Sequence, residues 1–151
     1  MSLPFARIFF DANQHKLRTA YKMLTEENKA HRLTPETARA GYLLAHVAEA
    51  QLFFASLVFG TKIEFAPQTS GGGDKNEPID LAHIGTLLDL GATRIGELVD
   101  ATTEEEWQGE VSSERLGTRS RILWLAALMN HSVHHIGQAE LTMKRGKVFA
   151  A

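Results

Sequence analysis

The sequence contains no cysteine, and this absence excludes several kinds of chemistry at once. A disulfide framework, a thiolate metal ligand and a cysteine nucleophile are all impossible. Any thiol that takes part in a reaction must therefore arrive as a cosubstrate. Because nothing in the sequence calls for an oxidising compartment, we predict a cytoplasmic protein.

Excess charge and long apolar runs are also lacking. Sixteen basic and 18 acidic residues give a formal net charge of -2, which offers no electrostatic reason to bind nucleic acid or an anionic membrane. No run approaches the roughly 20 consecutive apolar residues of a membrane-spanning helix. The apolar N-terminal stretch is interrupted by Arg7 and Asp11, so we predict no secretory signal. Neither a nucleic-acid nor a membrane partner is expected.

The sequence does contain the pattern of an all-α protein. Its 151 residues and 44% hydrophobic content suit one domain over residues 1–151. Apolar residues recur at helical spacing in four long segments. The predicted helices cover residues 5–24, 35–59 and 81–99, and a fourth begins near Thr118 or Ser120 and runs to residue 145. Four amphipathic helices of this length predict a four-helix bundle.

Several residues mark the expected helix ends. Thr34 is the predicted N-cap of the second helix, and Gly60 its stop. Gly146 is expected to end the fourth long helix. Gly137, inside that helix, costs about 1 kcal/mol against alanine, which favours a position of close packing.

The connections differ in character. "APQTSGGGDKNEP" is glycine-rich and polar, which predicts a mobile loop between the second and third helices. "TTEEEW" contains two overlapping capping boxes, Thr102 with Glu105 and Thr103 with Glu106, which predict a short extra helix. "GEVSSERLG" predicts an irregular loop or a small hairpin before the fourth long helix.

Three of the seven histidines fall within five positions of the fourth long helix. His131 and His135 have i,i+4 spacing, so both imidazoles can reach one metal ion. His131 and His134, at i,i+3, form a second possible pair. Adjacent His134 and His135 point in different directions and do not suit one ion. Partly exposed, hydrogen-bonded imidazoles remain the alternative to ligands.

A further histidine, His46, lies on the apolar face of the second helix. A buried imidazole needs a partner, because an unpaired buried polar group costs about 1–3 kcal/mol. A satisfied core histidine is one interpretation, and a three-nitrogen metal site between two helices is the other. His15, His31 and His83 lack such a context and are expected at the surface or its boundary.

These residues resemble the DinB-like (YfiT-like) family of metalloenzymes. The family pattern is a histidine in the second helix and H-x-x-x-H-x-G-Q in the fourth long helix. Here His46 matches the first part, and His131, His135, Gly137 and Gln138 match the second. The resemblance spans nearly the whole chain and implies a metal triad of His46, His131 and His135. It also implies a homodimer.

The resemblance further implies a divalent metal ion, with zinc, nickel or iron suited to imidazole ligands. Characterised relatives transfer or isomerise groups with low-molecular-weight thiols such as bacillithiol or mycothiol. We therefore expect a metal-dependent S-transferase, or a related isomerase or hydrolase, that activates a thiol or water. The chain departs from the family at Ile136, where arginine is common, so no anion-binding role is expected at that position.

Three polar residues are candidates to support the site. Gln138 could orient His135 or contact the substrate, and Glu49 could accept a hydrogen bond from an imidazole or act as a proton acceptor. A plain surface charge is the alternative for Glu49. Asn13 could line the pocket or be a satisfied core residue.

Two other functions remain open. A non-catalytic dimeric bundle that binds a ligand or metal would need the same residues, since fold does not fix function. A purely structural bundle would not respond to metal removal.

Overall fold

The computed structural model describes residues 4–69 and 71–149 and shows a bundle of four long helices. These four helices confirm the predicted all-α bundle. A short helix and a two-stranded antiparallel hairpin lie between the third and fourth long helices. The elements, in chain order, are α1 (Pro4–Met23), α2 (Ala40–Phe59), α3 (Leu81–Ala101), α4 (Glu104–Gln108), β1 (Glu110–Ser113), β2 (Gly117–Ser120) and α5 (Arg121–Arg145).

Each long helix packs against two neighbours. α2 contacts α3 and α5, and α1 contacts the same two helices, so α1 and α2 lie diagonally across the bundle. Two hydrophobic clusters fill the interior, one around Leu44 and Leu88 and the other around Trp107 and Leu125. The contact between α2 and α5 is the one that carries the candidate site.

α2 is the most apolar of the helices. Residues 40–59 are long and apolar enough to cross a membrane, with a mean hydropathy of 1.5 over an 18-residue window. However, 61% of that window is buried inside the bundle. The central helix of a globular protein has this composition for the same reason, since it is surrounded by other helices.

α2 begins later than the sequence predicts. Thr34 is not its N-cap, because the helix starts at Ala40 with Arg39 in the N-cap position. The Thr37 hydroxyl instead accepts the backbone N–H groups of Leu33 and Thr34, both at 3.1 Å. This local turn satisfies the backbone before the helix starts.

The two predicted glycine stops are confirmed. Gly60 follows α2 in the left-handed conformation (φ 70°), where a residue without Cβ is favoured. Gly146 follows α5, and a Cβ there would lie 2.7 Å from the carbonyl oxygen of Arg32. The prediction of close packing at Gly137 was wrong, because a Cβ at that position would meet nothing within 4 Å.

One of the two predicted capping boxes is present. Thr103 caps α4, and its side chain and that of Glu106 bond reciprocally to each other's backbone N–H. The other box was wrong because Thr102 ends α3, where its hydroxyl donates to the Leu98 carbonyl at 2.6 Å. β1 and β2 then pair from Glu110 with Ser120 to Ser113 with Gly117.

Candidate metal centre

α2 and α5 bring three predicted metal ligands together. His46, His131 and His135 each offer a ring nitrogen, and these three atoms lie within 4.8 Å of one another. The Nε2 atoms of His46 and His131 are 3.0 Å apart. The ring centroid of His46 is 4.9 Å from that of His131 and 5.0 Å from that of His135. Two helices therefore present their imidazoles to one point.

On α5 the structure distinguishes the two histidine pairs that the sequence allowed. The ring centroids of His131 and His135 are 4.5 Å apart, as expected one turn apart on the same face. His134 is exposed, its ring centroid is 5.0 Å from that of His135, and it is not part of the three-nitrogen group. The group is therefore formed by His46, His131 and His135.

The second ring nitrogen of each histidine has its own environment. His135 Nδ1 lies 2.7 Å from Gln138 Oε1, and His46 Nδ1 lies 3.2 Å from Thr69 Oγ1. His131 Nδ1 is buried and has no hydrogen-bond partner among residues 4–69 and 71–149. Metal-bound histidines normally donate their other ring N–H to such a neighbour. Two of the three imidazoles are therefore supported in this way.

Burial favours the neutral form of all three imidazoles. It lowers the pKa of His131 to about 4, and the neighbouring His135, His46 and His134 act in the same direction. Burial and the neighbouring His135 lower the pKa of His46, against the opposing charge of Glu49. Burial also lowers the pKa of His135, although its bond to Gln138 raises it. Neutral imidazoles carry the lone pairs that a metal ion requires.

Glu49 is buried, so its interpretation as a surface charge was wrong. Its side chain is only 1% exposed and lies under the segment that follows α2. The carboxylate accepts the backbone N–H of Gln68 at 2.7 Å and that of Thr69 at 3.0 Å. It also accepts the Thr69 hydroxyl at 2.5 Å. Glu49 thus reaches His46 through Thr69.

Asn13 belongs to another part of the bundle. It is 7% exposed, and its amide donates to the Met129 carbonyl at 3.4 Å. It lines an open groove of about 470 Å³ between α1 and α5, together with Phe9 and Val133. Asn13 is therefore a buried asparagine with a backbone partner, and the groove that it lines is formed by α1 and α5.

Thr69 and Tyr42 are parts of the site that the sequence did not reveal. The Tyr42 ring lies parallel to that of His46, with centroids 6.3 Å apart. Its hydroxyl donates to the Thr69 carbonyl at 3.2 Å. No local pattern marks Thr69, and the only available signal was the need of Glu49, on an apolar helix, for distant donors.

The arrangement fits a divalent metal ion. With bonds of about 2.0–2.1 Å, two nitrogens on one tetrahedral zinc lie roughly 3.3 Å apart. The 3.0 Å separation of the His46 and His131 Nε2 atoms is close to that value. Three protein nitrogens would not saturate such an ion, so an open position would be left for a small molecule.

Known proteins with this fold come from several bacteria. The structure matches that of a DinB-like protein from Bacillus cereus with a TM-score of 0.74 and 19% identity over 95% of each chain. A conserved protein from Enterococcus faecalis gives 0.70 and 13% over 96% of this chain and 97% of the other. A DinB-like protein from Bacillus subtilis gives 0.66 and 14% over 92% and 90%. At these identities the likeness shows the fold alone.

Comparison with curated protein sequences gave no match. The family model of the DinB superfamily, in contrast, matches residues 9–139. This match includes α2, the whole α2–α3 connection and the three clustered histidines of α5. The chain therefore belongs to the DinB superfamily.

Proposed function

We propose that this protein is a metal-dependent enzyme that transfers or rearranges a group with the help of a low-molecular-weight thiol. A related hydrolase that uses water is the nearest variant. The observation that carries the proposal is the convergence of His46, His131 and His135 from two helices, with ring nitrogens within 4.8 Å. Zinc, nickel and iron all suit three imidazole ligands.

A divalent ion held by these nitrogens would supply Lewis-acid activation of a bound thiol or water. The protein's own contribution is to hold three neutral imidazoles in place at neutral pH. Because the sequence has no cysteine, the thiol must enter as a cosubstrate. The buried surroundings of His131 would strengthen the attraction between the site and an anionic thiolate.

Gln138 and Glu49 have different positions relative to this chemistry. The Gln138 amide oxygen accepts the Nδ1–H of His135, which leaves Nε2 of that ring for the metal. Gln138 is exposed, so contact with a substrate is also open to it. Glu49 stays a candidate proton acceptor, and a proton would reach its carboxylate by way of Thr69.

Metal analysis of purified protein tests the first half of the proposal. We expect one divalent ion per chain by plasma mass spectrometry, and strong loss of it in His46→Ala and His131→Ala. His134→Ala is the matched control, because its ring is adjacent to His135 but outside the group. Full metal content in both ligand variants would refute the triad.

Turnover by the metal-loaded protein tests the second half. Bacillithiol, mycothiol, glutathione and coenzyme A would be offered with a panel of electrophiles and with hydrolysable esters and amides. Thiol consumption that stops on chelation and returns with metal supports the transferase. Metal-dependent ester or amide cleavage would identify the hydrolase. Ligand-induced stabilisation without turnover across the panel would instead favour the non-catalytic binding bundle.

We also propose that two copies of the chain associate through the exposed apolar side chains of α1 and α5. Ile8, Phe9 and Val133 are exposed large apolar residues, and the groove between these helices is lined mainly by apolar side chains. Sedimentation equilibrium should give twice the chain mass. The double variant Phe9→Glu and Val133→Glu should halve this mass, whereas Leu116→Glu, at an exposed position on the hairpin, should not.

Cytoplasmic placement stays a prediction from composition.

A further inference from the structure

Glu49 is an unusual residue to find in the middle of the most apolar helix. Its side chain is almost completely buried, and its carboxylate is the acceptor in all three of its hydrogen bonds. Two of these donors are consecutive backbone N–H groups, at Gln68 and Thr69. An ionised carboxylate accepts hydrogen bonds through both oxygens and donates none, so this environment matches the anion.

Thr69 lies between this carboxylate and His46. Its hydroxyl is 2.5 Å from Glu49 Oε2 and its oxygen is 3.2 Å from His46 Nδ1. The rest of the residue is held as well, because its N–H bonds to Glu49 and its carbonyl accepts the hydroxyl of Tyr42. Thr69 is only 5% exposed. The hydroxyl therefore has fixed neighbours on both sides.

The hydrogen-bonding capacity of threonine then determines where the proton of His46 lies. A hydroxyl has one hydrogen, and beside an ionised Glu49 that hydrogen points to the carboxylate. The oxygen can then only accept from His46, so His46 carries its proton on Nδ1. Its Nε2 is left with a free lone pair, and this is the atom that lies 3.0 Å from His131 Nε2.

We propose that Thr69 and Glu49 form a hydrogen-bonded relay that fixes the tautomer and the ring orientation of His46, so that the lone pair of its Nε2 would be available to a metal ion. Both are positioning residues, since they act through His46. The inference rests on the proposed metal site for its consequence, although the tautomer itself belongs to the metal-free protein. It also gives a reason for burying a charge beneath an irregular segment.

Nitrogen NMR of the metal-free protein tests the tautomer directly. Long-range proton–nitrogen spectra of histidine-labelled protein distinguish protonated from unprotonated ring nitrogens, and His46→Gln identifies the resonances of His46. We expect a protonated Nδ1 and an unprotonated Nε2 in the wild type. Thr69→Val, which keeps the shape but removes the hydroxyl, should give a mixture of tautomers, and Thr69→Ser should restore the wild-type pattern. Protonation of His46 on Nε2 in the wild type would overturn the relay.

Metal affinity gives a second readout. Partners of this kind are worth about 10-fold to 100-fold in metal affinity, so Thr69→Val should weaken zinc binding by that factor in competition with a chromophoric chelator. Thr69→Ser should bind nearly as tightly as the wild type. Circular dichroism would confirm that each variant is folded. Unchanged affinity in a folded Thr69→Val would refute the positioning role.

The metal site and the relay can be refuted separately. If zinc binds the wild type no better than His131→Ala, the metal site is wrong, while the NMR result still decides the tautomer. If zinc requires His131 but ignores the hydroxyl of Thr69, the metal site stands and the relay is wrong.

Discussion

The two long connections of this bundle differ in how their backbone is held in place. The α2–α3 loop, residues 60–80, has no helix or strand in its described residues, 60–69 and 71–80. The α3–α5 connection, residues 102–120, consists almost entirely of α4 and the β1–β2 hairpin. Yet it is the irregular loop that supplies a residue to the candidate site.

The α2–α3 loop is fixed by buried polar contacts at two points. Near its middle, Thr69 bonds to Glu49 and His46 as described above. Farther along, the Asp74 side chain is only 2% exposed and forms ion pairs with Arg39 at 2.7 Å and Arg32 at 3.1 Å. Asp74 also accepts the backbone N–H of Arg39 at 2.9 Å. Side chains far apart in sequence thus replace regular backbone pairing.

The α3–α5 connection is stabilised mainly by contacts within itself and with the adjacent ends of α2 and α5. Trp107 of α4 is fully buried and packs edge-on against Phe59. The indole N–H of Trp124 donates to the Val111 carbonyl at 3.0 Å. These contacts serve the hydrophobic cluster at that end of the bundle. Changes there should alter stability, whereas a change at Thr69 in the α2–α3 loop should alter metal binding as well.

The largest effect is expected from Asp74→Asn. Removing one partner of a buried ion network leaves the others uncompensated, which costs about 3–5 kcal/mol. Urea denaturation of the metal-free protein would measure it. Asp89→Asn is the control, because the Arg18–Asp89 pair is exposed on the Asp89 side and should be worth no more than about 1 kcal/mol. Equal losses in both variants would contradict a special role for the loop.

The same residue predicts a dependence on pH. Burial by itself raises the pKa of Asp74. Hydrogen bonds from Arg39 and from the N–H of Asn76, together with the charge of Arg39, lower it by more, so the pKa lies below its usual range. The folded state therefore favours the carboxylate. Its contribution is complete above the ordinary pKa of the free side chain and is lost as the pH falls through the lower folded value. The stability difference between wild type and Asp74→Asn should shrink on acidification below about pH 4.

Glu49→Ala should come next in size. It leaves the N–H groups of Gln68 and Thr69 and the Thr69 hydroxyl without their acceptor, for a loss of about 2–4 kcal/mol. Unlike Asp74→Asn, it should also weaken zinc binding directly through His46. Isothermal titration and urea denaturation on the same sample would separate the two effects. A normal zinc affinity with reduced stability would place Glu49 outside the site.

The smallest effect is expected from Thr103→Ala in the α3–α5 connection. Loss of an N-cap side chain costs about 1 kcal/mol, and zinc affinity should be unchanged because α4 does not reach the histidines. Thr103→Ser should retain the cap. A weaker zinc affinity in Thr103→Ala would show that the two connections are coupled.

The difference between the connections also explains what the sequence could predict. The capping box of Thr103 and the i,i+4 pair His131 and His135 are local patterns, and both appear in the structure. The glycines predicted a mobile α2–α3 loop, but this prediction did not include the ion pairs of Asp74 that hold the loop. The partners of Thr69 and Asp74 lie 20 and 35 positions away, in Glu49 and Arg39. No periodicity relates such residues.

The start of α2 was missed for a related reason. Thr34 and Pro35 form a strong helix-start signal, but the segment before Ala40 is used for tertiary contacts instead. Arg32 forms a backbone bridge with Lys147 and an ion pair with Asp74. These contacts hold the backbone in a non-helical path, so global packing overrides the local preference.

Because Thr69 is contributed by the loop rather than by a helix, the residue in contact with His46 Nδ1 can change while the three ligands stay the same. Replacing this connection by one without a hydroxyl at the position of Thr69 would keep all three imidazoles yet change which nitrogen of His46 carries hydrogen. Chimeras of this kind would therefore alter affinity for the ion without any substitution among the ligands.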